Sequence, residues 1–175
     1  IYTSREAGKG GAPFPARRDA DVSTGRIVVS DDWQSRYYII DSEKEGPVVL
    51  ITGGVHGDEP AGARAARQIR HWPLAKGKLI VIPRCNVPGL RAGNRRIPGR
   101  PDDVNDLNRN FPYGSKRKTA RGPAAKALWG FIRERKPDYA LDLHEGYGFR
   151  SAGSDSVGSS IIRTRGKGNA ELQEV

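Results

Sequence analysis

The chain is 175 residues long, with 30 Lys+Arg against 20 Asp+Glu and a formal net charge of +10. That length suits one domain with a real core, since a chain near this size hides roughly 68–70% of its unfolded surface. A single cysteine, Cys85, rules out an internal disulfide framework and a Cys-rich metal site. No apolar run is long enough for a membrane-spanning helix, and no signal-peptide pattern opens the sequence.

Residues 1–25 are rich in Gly, Pro, Arg and Asp and read as an irregular N-terminal arm, with residues 26–175 as one domain. Arg26 to Ser30 and Arg36 to Ile40 form two short strands around a turn at Asp31-Asp32. Pro47 to Thr52 is an unbroken apolar, β-branched run, the mark of a strand covered on both faces. Gly53-Gly54 ends it. Pro60 opens a helix over Ala61 to Trp72, with Ala61, Ala65, Ile69 and Trp72 as its apolar stripe. Lys78 to Pro83 is a second buried strand. From Arg84 to about Ala120, with four Gly and four Pro, the chain reads as a long structureless loop, functional or disordered. Ala124 to Arg135 is a helix with Leu128, Phe131 and Ile132 inward, stopped by Pro137. Tyr139 to His144 is a third core strand, and Ser160 to Arg163 a candidate fourth. This alternation predicts an α/β fold with a mixed, largely parallel sheet flanked by helices. Ligands of such sheets bind at the carboxyl ends of the strands.

Those ends carry the chemistry. After the first buried strand comes Gly53-Gly54-Val55-His56-Gly57-Asp58-Glu59. A Gly-rich turn into a helix start brings the His56 imidazole and the Glu59 carboxylate toward one ion, a ligand mix that zinc accepts. Of the other two histidines, His71 lies inside a helix beside Trp72, whereas His144 ends a strand with Asp142 on its own side. Alone, His-x-x-Glu is a weak signal, and simple pairing at a helix start competes with it. The strand-end positions of His56 and His144 strengthen the metal reading. Cys85 reads as a small buried filler rather than a nucleophile paired with His144. The pattern of a P-loop is absent.

The basic excess is local. Twelve Lys and Arg fall between Asn86 and Arg135 against Asp102, Asp103, Asp106 and Glu134. Such a field steers anions. Aromatic interleaving is too sparse there to favour nucleic acid over a solvated basic face or a small acidic substrate.

The loop also carries Gly93-Asn94-Arg95-Arg96-Ile97-Pro98 and Asp106-Leu107-Asn108-Arg109-Asn110-Phe111-Pro112. Together with the first motif and Asp142-Leu143-His144, this set resembles the zinc carboxypeptidase superfamily. The nearest branch is that of the succinylglutamate desuccinylase/aspartoacylase-like deacylases, over about Val48 to Glu145. The resemblance implies a zinc-carboxypeptidase-like architecture and one Zn²⁺ per chain held by His56, Glu59 and His144. It implies that Asp106 accepts a hydrogen bond from the His56 ring, that Asn108 and Arg109 grip a substrate carboxylate, and that Arg95 polarises the scissile carbonyl. Arg96 stands where relatives often carry Tyr and receives no role.

The implied activity is hydrolysis of the amide bond of a small N-acyl amino acid. A zinc carboxypeptidase acting on peptide C-termini is the alternative, and a non-catalytic basic module for an anionic partner is the reading from another class. The family's general-base Glu has no match here. An incomplete chain, hinted at by the Ile1 start and the lack of Met, is preferred to a short lobe supplying Glu171 or to metal binding without turnover. Oligomeric state is not legible, and a cytoplasmic setting is weighed ahead of a secreted mature form.

Overall fold

In a computed structural model of the chain, the described residues are 20–113, 116–146 and 153. Those up to Glu145 belong to one compact unit. Five strands form its sheet: β1 (Asp21–Ser30), β2 (Trp33–Asp41), β3 (Val48–Gly53), β4 (Lys78–Ile82) and β5 (Tyr139–Leu143), in the order β1-β2-β4-β3-β5. β1 pairs with β2 and β2 with β4 antiparallel, whereas β3 is parallel to both β4 and β5. The sheet is mixed, with a parallel part that carries the three strand ends of interest.

The apolar runs of β3 and β4 are continuous because both sheet faces are covered. Leu50, Ile80 and Ile82 point into a core with Trp33, Val87, Leu107, Ala124, Ala125 and Leu128. Their neighbours Ile51, Leu79 and Val81 point the other way, onto Ile40 and Ala66. Two helices supply the covers: α1 (Pro60–Ile69) on the second face and α4 (Gly122–Arg135) on the first. In α4, Leu128 is buried, and Phe131 and Ile132 pack against the same core, as their spacing predicts. Lys136 at φ 45° closes the helix in the left-handed region ahead of Pro137.

Several expectations shift. β1 begins at Asp21, so 21–25 are strand rather than irregular arm, held by register pairs such as Val22 with Ile40. Helix α1 ends at Ile69, and its buried residues are Gly62 and Ala66, with Trp72 44% exposed. Ile69 packs against the core as expected, whereas the rest of the stripe shifts to Gly62 and Ala66, the small residues that let α1 approach the sheet. The stretch 84–120 is not structureless. It holds α2 (Val87–Ala92), the single turn α3 (Asp102–Asn105) and a 3₁₀ turn at Leu107–Arg109. Among the described residues β5 stands at the end of the sheet order, and its Ala140, Leu141 and Asp142 are exposed rather than in the core. Ser160 to Arg163 lies outside the described residues.

Candidate functional site

The first motif leaves β3 at Gly53 and turns before α1. Gly57 allows the turn to sit against the next segment: a Cβ there would strike the Gly89 and Asn94 backbone, and its own N–H donates to the Arg95 carbonyl at 3.3 Å. The turn delivers His56 and Glu59 into the interior, 2% and 4% exposed. Their pairing is close: His56 Nδ1 lies 2.8 Å from Glu59 Oε1. β5 brings the third residue from far along the chain, with His144 Nδ1 2.6 Å from Glu59 Oε2. One donor atom from each of His56, Glu59 and His144 lies within 4.8 Å of the others. The His56 and His144 ring centroids are 4.9 Å apart.

Each imidazole also has a carboxylate at its far nitrogen. His56 Nε2 is 3.4 Å from Asp106 Oδ1, and His144 Nε2 is 2.8 Å from Asp142 Oδ2. A neutral imidazole carries one N–H. If that proton is donated outward to Asp106 or Asp142, both Nδ1 lone pairs and both Glu59 oxygens face inward, acceptor against acceptor. Such an arrangement calls for positive charge at its centre, supplied by a ring proton or, in its place, a metal ion. Two imidazoles and a carboxylate, each ring braced by an outer carboxylate, form a donor set that fits a divalent metal ion.

The same crowding shifts protonation. The hydrogen bond to Asp142 lifts the His144 pKa to about 9 against the opposing effect of burial, with the Asp142 charge and the Glu59 contact adding to it. Burial pushes Glu59 upward, but the His144 hydrogen bond, His56 and Arg95 overcome it and hold its pKa near about 2. Glu59 is therefore a carboxylate throughout the neutral range. With its oxygens committed to the histidines, Glu59 cannot cap its own helix. The start of α1 is served instead by Glu145, whose Oε2 accepts from Ala61 N–H at 2.9 Å. The Glu145 N–H donates in turn to Glu59 Oε2 at 3.3 Å.

The expected site residues fall as follows. Asp106 faces His56 and also accepts from Asn108 N–H at 3.0 Å, while its backbone carbonyl accepts from Asn110 Nδ2 at 2.8 Å. The 3₁₀ turn thus folds back on Asp106, Asn108 through its backbone N–H to the carboxylate that faces the ring and Asn110 through its side chain to the carbonyl. Arg95 Nη1 donates to Glu59 Oε1 at 2.5 Å, with its side chain 43% exposed. Asn108 is half-buried and Arg109 exposed on the same turn, where Arg109 Nη1 approaches the Asn108 carbonyl at 3.4 Å. Arg96 reaches Asn105 and Asp102 rather than the cluster. His71 lies on the surface past the end of α1. Cys85 is buried, its thiol pushed up by burial and further by the Asp142 charge, so it stays protonated, as a buried filler should. Glu171 lies outside the described residues.

Two contributors escape a reading by motif. Glu145 is visible in the sequence as a neighbour of His144, but its role at the start of α1 depends on where β5 ends. Thr52 donates from Oγ1 to Asp142 Oδ1 at 2.7 Å. That contact depends on the parallel register of β3 against β5, which no local pattern encodes.

Comparison with known proteins agrees with this architecture. Residues 45–152 match the family described as the succinylglutamate desuccinylase/aspartoacylase catalytic domain. An N-alpha-acetyl-L-2,4-diaminobutyric acid deacetylase of Halomonas elongata is 36% identical over 107 residues, covering 58% of this chain and 29% of that protein. The crystal structure of an aspartoacylase family protein from Mesorhizobium loti superposes with a TM-score of 0.57 at 32% identity, over 70% of this chain and 40% of that one. Bovine thrombin-activatable fibrinolysis inhibitor, solved with a tick carboxypeptidase inhibitor, shares the fold at a TM-score of 0.58 and 17% identity, over 86% of this chain and 61% of that one. The chain thus spans less than half the length of the deacetylase and of the aspartoacylase relative, and its fold is of the zinc-carboxypeptidase type. By its match over residues 45–152, the chain belongs to the succinylglutamate desuccinylase/aspartoacylase catalytic-domain family.

Proposed function

We propose that the chain carries the metal-binding part of a zinc-dependent hydrolase that cleaves the amide bond of a small N-acyl amino acid. The observation that carries this reading is the convergence of His56, Glu59 and His144 donor atoms within 4.8 Å, with Asp106 and Asp142 bracing the two rings. Family membership and the deacetylase relative support the deacylase over the carboxypeptidase alternative.

His56, Glu59 and His144 would hold the ion. Bound there, zinc supplies a Lewis acid for the amide carbonyl and a water acidified toward neutrality. The residues of the chain do the rest. Asp106 and Asp142 keep the outer nitrogens protonated, so that Nδ1 of each ring faces the centre. His144, with a side chain 32% exposed, leaves one flank open to water and substrate. Arg95, anchored beside Glu59 and half-exposed, is suited to meet the charge that develops on the carbonyl oxygen. Arg109, exposed next to Asn108, offers a planar fork for the substrate carboxylate. Glu145 is turned to the start of α1, so it is not offered as the proton carrier.

The test is release of free amine from N-acetyl and N-succinyl amino acids, set against peptides, by the zinc-loaded protein. Preference for the acyl amino acids is expected. Arg109→Ala should chiefly raise KM, and Arg95→Ala chiefly lower kcat. Equal effects on both constants would count against the divided roles, and preference for peptides would return the carboxypeptidase reading.

A further inference from the structure

We infer that Thr52 is a positioning residue for the metal centre, acting through Asp142 on His144. The inference rests on the zinc reading and goes beyond it by assigning a residue that belongs to none of the recognised motifs.

Asp142 sits on β5 with its side chain 37% exposed, and the terminal torsion of an aspartate is broad and roughly two-fold. A single contact to His144 would leave the carboxylate plane loosely set and open to water. The structure gives it a second contact. In the parallel pairing of β3 with β5, Thr52 stands directly against Asp142. Its hydroxyl, on a residue 9% exposed, donates to Asp142 Oδ1 at 2.7 Å. The competing acceptor, the Leu141 carbonyl, is at 3.4 Å. One hydroxyl proton serves one strong bond, and the short contact to a charged acceptor is the stronger.

With Oδ1 fixed from the buried side, Oδ2 is aimed at His144 Nε2 at 2.8 Å, and Nδ1 then faces Glu59. The relay runs from the sheet interior to the ligand ring: Thr52, Asp142, His144. Because β-branched Thr has few χ1 options, the hydroxyl direction is held by the strand itself. A valine would fill the same space without the donor.

The experiment measures zinc affinity of the whole chain by chelator competition, alongside its melting temperature with the metal stripped. Thr52→Val is expected to weaken zinc binding about tenfold, near the lower end of what loss of an outer partner costs. Thr52→Ser should restore it, and Thr52→Ala serves as a second hydroxyl-free variant should the valine protein not fold. In an Asp142→Asn background, Thr52→Val should have little further effect. Unchanged affinity in both hydroxyl-free variants, or an equal loss in the Asp142→Asn background, overturns the relay alone. A wild-type chain that binds no zinc overturns the zinc reading and the relay with it.

Discussion

Gly62 of α1 lies directly against the carbonyl of Leu143 at the end of β5. A Cβ built on Gly62 would come within 2.8 Å of the Leu143 carbonyl carbon and 3.4 Å of the His144 nitrogen. Helix α1 and strand β5 can meet only because no side chain stands between them. We expect that contact to set the height at which β5 releases His144 toward Glu59. Gly62→Ala must push helix or strand aside. Overpacking of this kind costs about 1–3 kcal/mol, and each kcal/mol lowers the melting temperature by roughly 2–4 °C in a chain of this size. Thermal melts should show that loss together with weakened zinc binding. An alanine variant with unchanged melting and unchanged zinc affinity would show that this contact does not set the position of His144.

Glu145 makes a second link between the same elements. Its carboxylate caps α1 from outside the helix, replacing the cap that Glu59 cannot give. Loss of a helix cap typically costs about 1 kcal/mol. Glu145→Ala should therefore melt a few degrees lower, and Glu145→Gln, which keeps an acceptor oxygen, should recover most of the difference. Turnover measured on the glutamine variant separates a cap from a proton carrier: a cap leaves it nearly unchanged. A stable glutamine variant with abolished turnover would show that Glu145 carries the proton.

Far from the site, the paired ends of β2 and β4 provide a pH prediction. Asp41 stands opposite Lys78 in the register, with Lys78 Nζ 2.5 Å from Asp41 Oδ2. The Lys78 hydrogen bond, aided by the Glu43 N–H, holds the Asp41 carboxyl below its usual value. A carboxylate whose folded pKa is depressed adds stability above its unfolded pKa and loses it as pH falls through the folded one. The acid limb of a stability profile should accordingly be shallower in Asp41→Asn than in the wild type. Identical acid limbs in urea titrations at neutral and acidic pH would remove this pair from the account.

The parts legible in the sequence were those encoded locally. The β-branched runs in Val48–Gly53 and Lys78–Ile82 announce strands covered on both faces, and their alternation between two cores explains why Val48 to Ile51 and Leu79 to Ile82 are apolar throughout. The turn at His56 to Glu59 carries its own geometry. Tyr139–Leu143 reads the same whether central or at an edge, because burial of a strand depends on neighbours from elsewhere. The helical turns between Asn86 and Asn110 are too short for periodicity. They rest on single side chains, such as Asn86 accepting from Gly89 N–H at 2.9 Å and Asp106 accepting from Asn108 N–H. Thr52 and Glu145 acquire their roles only from cross-strand register and helix placement, contacts spanning more than 80 residues of chain.

The most direct test is metal stoichiometry on the purified chain by elemental analysis after zinc loading and desalting. The account predicts one zinc per chain in the wild type, and loss of that zinc in His56→Ala and in His144→Ala while both variants keep a folded circular-dichroism spectrum. A wild type that retains no zinc, or alanine variants that retain it fully, would contradict the proposed centre.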